Sequence, residues 1–109
     1  MEITREQRQE IVRQIGQNIW SISGGRVGAT PSGVVLPCGY GYRVEIDLHP
    51  SDTYIVRRVF ERGGKRWVKG QVRDVYNTEV AETAYRAGMF RDKWPEGEVE
   101  MTYPRGARA

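Results

Sequence analysis

One cysteine, Cys38, and one histidine, His49, are all the thiol and imidazole in the 109 residues. A lone thiol forms no internal disulfide, and without a second histidine or a cysteine pair there is no ligand set for zinc. No apolar run approaches the roughly 18 residues that a membrane-spanning helix needs. The opening Met1-Glu2-Ile3-Thr4-Arg5-Glu6 is polar and acidic where a signal peptide is basic and then apolar. These absences predict a cytoplasmic chain with no membrane partner.

Glycine patterns that hold phosphates are missing as well. Gly24-Gly25-Arg26-Val27-Gly28 lacks the following helix of a dinucleotide site, and Gly39-Tyr40-Gly41-Tyr42 matches no phosphate loop. Cys38 and His49 fall on either side of a predicted strand, a poor arrangement for a thiol and its base. Glu45 and Asp47 fall on that strand's polar side, where water satisfies them. No catalytic residue, metal or cofactor is therefore predicted, and the chain reads as non-enzymatic.

What the chain does contain is enough for one small domain. It weighs 12.5 kDa, is 39% hydrophobic and 28% charged, and has a mean hydropathy of -0.63. Thr4-Arg5-Glu6-Gln7 has the form of a capping box, and Ile11, Ile15, Ile19 and Ile22 continue one helical stripe. This predicts a helix over about 5–20, with Gly16 as its weak point. Thr30-Pro31-Ser32-Gly33 suits a tight turn between two short apolar pieces. Tyr42-Arg43-Val44-Glu45-Ile46-Asp47-Leu48 alternates strictly, as a half-buried strand does. A long strand from Thr53 to Arg62 and another from Lys65 to Val72 flank Gly63-Gly64, a hairpin signal. Val80, Ala84 and Ala87 form the inward stripe of a second helix that Asn77 or Thr78 would cap and Gly88 would end. From Asp92 onward, Pro95, Gly97, Pro104 and Gly106 stand among alternating charges. The fold class predicted is α+β: an N-terminal helix, about five antiparallel strands and a second helix form one domain over 1–91, and 92–109 form a flexible tail.

Charge is concentrated. Residues 57–73 hold Arg57, Arg58, Arg62, Lys65, Arg66, Lys69 and Arg73 against Glu61 alone, inside a chain whose formal net charge is only +3. Folding the hairpin at Gly63-Gly64 pairs Arg62 with Lys65, Phe60 with Trp67, Val59 with Val68 and Arg58 with Lys69. One face then collects Ile55, Arg57, Val59 and Glu61 with Arg66, Val68, Gly70 and Val72 and is expected to look inward. The other collects Tyr54, Val56, Arg58, Phe60 and Arg62 with Lys65, Trp67, Lys69 and Gln71 and is expected to look outward, its cations and rings being Tyr54, Arg58, Phe60, Arg62, Lys65, Trp67 and Lys69. Cations interleaved with rings suit phosphates and stacked bases, so this face is the candidate nucleic-acid site, for DNA or RNA.

The words Ile22-Ser23-Gly24-Gly25-Arg26-Val27, Gly39-Tyr40-Gly41-Tyr42-Arg43-Val44, Asp52-Thr53-Tyr54, Val56-Arg57-Arg58-Val59, Val75-Tyr76, Glu79-Val80 and Ala84-Tyr85-Arg86-Ala87 resemble a family of small uncharacterised proteins encoded by actinobacterial phages. The resemblance spans about residues 19–91. It implies a phage accessory protein at work in the host cytoplasm and carries no mechanism of its own. Nucleic-acid binding is the leading expectation. The alternatives are a protein-binding module, acting on a host factor or on a second copy as a homodimer, and a structural component of the virion.

Overall fold

The computed structural model describes residues 2–89, so the tail predicted over 92–109 lies outside the described residues. The capping box forms as the sequence implies. The Gln7 amide donates to Thr4 Oγ1 at 3.1 Å, and the Thr4 amide donates to Gln7 Oε1 at 2.8 Å. Helix α1 (Arg5–Ile15) stops at Gly16, whose φ of +63° is closed to ordinary L residues, and whose amide donates to the Val12 carbonyl. A second short helix, α2 (Asn18–Ser23), follows. The single helix expected over 5–20 is thus two, and the isoleucine stripe survives the break. Ile11, Ile15, Ile19 and Ile22 are all buried in one core.

Five strands follow in sequence order as an antiparallel meander: β1 (Gly28–Thr30), β2 (Gly33–Gly39), β3 (Tyr42–Leu48), β4 (Tyr54–Arg62) and β5 (Lys65–Val75). Helix α3 (Val80–Ala87) closes the described chain, with Val80, Ala84 and Ala87 fully buried as predicted. Its N-cap is Glu79, neither Asn77 nor Thr78, and the Glu79 carboxylate accepts the Tyr76 amide. The helices cover one face of the sheet. On that face Val34, Leu36, Val44, Ile46 and Val56 have no exposed surface.

The β4–β5 hairpin turns at Gly63-Gly64, with φ of +59° and +79°, and the expected pairs Arg62–Lys65, Glu61–Arg66, Phe60–Trp67 and Val59–Val68 are present. Beyond them a bulge slips the register. Arg58 faces Gly70, Val56 faces Val72, and Lys69 is the extra residue. The expected Arg58–Lys69 pair does not exist.

On β4 and the turn half of β5 the faces are also the reverse of those expected, while past the bulge Gly70 and Val72 lie on the inward side and Gln71 on the outward side as expected. β3 fixes the inward side, because its apolar residues must meet the helices, and pairing carries that side across to β4: Leu48 faces Tyr54, Ile46 faces Val56 and Val44 faces Arg58. Tyr54, Val56 and Arg58 therefore point toward the helices, while Ile55, Arg57, Val59 and Glu61 point away from them. Taken alone, the hairpin offered two apolar faces, and its own alternation could not choose between them.

Arg58 is accommodated inside by the end of α3. Its Nε donates to the Ala87 carbonyl at 2.6 Å, and Nη2 donates to the carbonyls of Arg86 at 3.1 Å and Met89 at 2.6 Å. The Ala87 carbonyl is one that a helix leaves without an intrahelical partner, at the negative end of its dipole; the Arg86 carbonyl also accepts the Met89 amide, and Met89 lies just past the helix. Truncating the side chain would remove a charged donor from all three. Arg58→Leu is expected to cost about 2–4 kcal/mol in urea unfolding, and Arg58→Lys clearly less than Arg58→Leu, since a single ammonium keeps the charge but not the fork. Equal stability of Arg58→Leu and the parent would refute this role.

Candidate nucleic-acid interface

Burial removes two of the seven predicted contact residues. Tyr54 is 5% exposed, and its hydroxyl donates to Gln14 Oε1 at 2.6 Å. Burial pushes its pKa above the usual tyrosine value, and the nearby Asp52 carboxylate adds to the effect. Arg58 is 8% exposed and committed to α3. Neither can meet a ligand on an outer surface, because the face they share is the one β3 and the helices enclose.

The other five stand together at the far end of the hairpin. Arg62 and Lys65 are exposed on either side of the turn. Phe60 and Trp67 are half-buried, their ring centroids 5.6 Å apart, and Tyr42 extends the row at 4.9 Å from Phe60. The β2–β3 turn lies against this row, since the Glu61 amide donates to the Gly41 carbonyl at 2.8 Å. Tyr40, at the tip of that turn, is 98% exposed. Lys69, half-buried, occupies the bulge.

The face of the sheet away from the helices is charge-balanced. Arg57 pairs with Asp47, Arg66 with Glu45 and Arg43 with Glu61, and Arg57 Nε also donates to Gln71 Oε1 at 2.8 Å. The acids on β3 thus answer arginines on β4 and β5. Of the seven cations in 57–73, Arg57 and Arg66 are neutralised and Arg58 is internal. Arg62, Lys65, Lys69 and Arg73 remain without an ion pair among the described residues. They run along β5 and its turn, at an edge of the sheet that is unpaired among the described residues, with Asp74 the one acid on that strand. At about 3.3 Å per residue the strip is roughly 25–30 Å long. Arg73 was not among the predicted contact residues. Its exposure follows from the length of β5, which runs to Val75 where the sequence suggested an end at Val72.

Cys38 and His49 are held apart. His49 follows β3 and Cys38 precedes it, so the strand's length of roughly 20 Å separates them. His49 Nδ1 is 2.9 Å from Ser51 Oγ within its own turn. Cys38 Sγ donates to the Leu36 carbonyl at 3.4 Å, and burial pushes its pKa up to about 11. No family model, curated protein or solved structure matches the chain.

The thiol gives a prediction with a definite sign. The folded value of about 11 lies above the ordinary 9.0, so the buried thiol's contribution to stability is complete below pH 9 and is lost between about pH 9 and pH 11. At pH 8 the thiolate fraction is about a hundredfold below that of a free thiol, and alkylation by iodoacetamide should be slower in proportion. A rate equal to that of the urea-unfolded chain would overturn the assignment.

Proposed function

We propose that this protein is a non-enzymatic phage accessory protein that binds single-stranded nucleic acid along the β5 edge and the hairpin end, in the host cytoplasm. The phage setting is supported by the family resemblance. The binding reading is carried by one observation: four cations with no ion pair among the described residues line a free sheet edge beside a row of aromatic rings. In this reading Arg62, Lys65, Lys69 and Arg73 hold phosphates, and Tyr40 with the exposed parts of Trp67 and Phe60 offers planes to bases. Four cations cannot specify a sequence, so the binding is expected to tolerate sequence changes.

Titration with a fluorescent single-stranded DNA and with its RNA counterpart tests this. Four phosphate contacts predict that log K falls with log salt at a slope of about -3. Each substitution of Lys65, Lys69, Arg62 or Arg73 by Ala should reduce that slope by about 0.7. Tyr40→Ala, at a site with almost no packing, should weaken binding by about 1–2 kcal/mol without changing the slope. If neither oligonucleotide binds at low salt, the proposal fails, and the lysines and bulges of β5 serve only to keep an edge strand from pairing.

A further inference from the structure

The opposite edge of the sheet is built differently. Among the described residues β1 pairs with β2 on one side only. Against its helix side lies a groove floored by Val12, Val27 and Ala29 and rimmed by Arg5, Arg8 and Arg13 of α1. Against its other side lies a second hollow, floored by Val35 and Pro37 and rimmed by Arg26 and by Arg43, the latter paired with Glu61. No acid stands among the described residues lining either one.

The segregation is set by sequence on α1. Arg5, Arg8, Val12 and Arg13 share the groove-facing stripe, while Glu10 faces a different hollow with Gln7 and Gln14. Arg8 also fixes the geometry. Its Nε donates to the Gly33 carbonyl at 3.0 Å and its Nη2 to the Thr30 carbonyl at 2.5 Å, tying α1 to the β1–β2 turn. Carbonyls satisfy its donors but leave its positive charge uncompensated. Arg5 has no ion pair among the described residues, and the Arg13–Glu10 pair is exposed, so it screens little. Val27, just before β1, is 40% exposed.

We propose that the β1 edge and its two flanking hollows form a docking site for an extended acidic peptide of a partner protein, bound as an added strand. An added strand sends alternate side chains to the two faces of a sheet. Here each face offers an apolar floor beside arginine, three from α1 on the helix side and Arg26 on the other, where Arg43 is already paired with Glu61, so one strand could place both acidic and apolar side chains on either side. The charge decides the occupant. A second copy of this chain would bring arginine against arginine across a two-fold axis. Nucleic acid would gain no aromatic platform from floors of valine, alanine and proline. With three residues, β1 gives only a short ladder, so the arginines must supply much of the affinity, and the binding should be salt-sensitive.

The probe is the blocked octapeptide Glu-Glu-Val-Val-Glu-Glu-Val-Val, which sets an acid and a valine alternately on each side of an extended strand. Added to the 15N-labelled full chain, it should shift the amides of 26–30 and of α1 and leave those of β5 unmoved. Arg5→Glu with Arg13→Gln should weaken binding at least tenfold. Both sites are exposed, and an acid in the first turn of α1 favours the helix, so the variant should keep the parent's circular dichroism. Substituting Lys for every Glu in the peptide should abolish the shifts. The proposal is overturned if the acidic peptide gives no shifts at millimolar concentration, if the Lys peptide binds as well, or if the shifts map to β5. A single-stranded oligonucleotide that displaces the peptide from 26–30 would also overturn it. Lys65→Ala and Lys69→Ala should leave peptide binding unchanged, so this site and the β5 site can fail separately.

Discussion

The guanidinium of Arg58 lies where a helix ends with its carbonyls unspent, and the arrangement of the sheet against the helices turns on that contact. A cation at this depth is stable only if its donors are filled and a negative potential faces it. The last turn of α3 provides both, through the carbonyls of Arg86, Ala87 and Met89. The opposite strand makes room by placing Gly70 across from Arg58, which brings no side chain to crowd it. The bulge at Lys69 is what delivers Gly70 to that position. One ladder irregularity, one glycine and one helix end therefore act together, and none has an evident reason without the others.

The same arrangement decides how the chain's positive charge is distributed. A run of seven cations in 17 residues looks like one patch in the sequence. In the fold it divides three ways, because alternation sends neighbours to opposite faces while β3 offers acids on only one of them. Arg57 and Arg66 meet Asp47 and Glu45 on the outer face. Arg58 enters the interior. The remainder lines the edge, where no further strand pairs among the described residues. A face that carries several arginines is thus electrostatically quiet, and the uncompensated charge sits on a rim.

Local signals were legible. The Thr4 capping box, the α1 stripe, the strict alternation of β3, the Gly63-Gly64 turn and the Val80, Ala84, Ala87 stripe each depend on residues within a few positions of one another, and each appears as the sequence implies. What misled was non-local. Arg58 next to Arg57 reads as a surface pair until β3 dictates which of them turns inward. The helical stripe continues through Gly16, so periodicity alone did not reveal that the chain redirects there. The bulge has a faint trace in Gly70, a glycine inside a strand, which often marks such irregularities. That trace and the apolar side of β3 together could have placed Tyr54 and Arg58 inside and removed them from the candidate surface.

The two edges of the meander differ as surfaces for one physical reason. β5 is long, carries lysines and arginines, and is broken by two register shifts, features that discourage another strand from pairing but not a flexible polyanion from lying across it. β1 is short and small-sided, running from Gly28 through Ala29 to Thr30, and the positive charge beside it is set back on α1 and at Arg26 rather than on the strand itself. Main-chain approach is therefore open at β1 and obstructed at β5. A charge carried by the edge strand blocks strand addition, whereas a charge carried beside it rewards an acidic strand. The position of the arginines relative to the ladder, more than their number, separates the two surfaces.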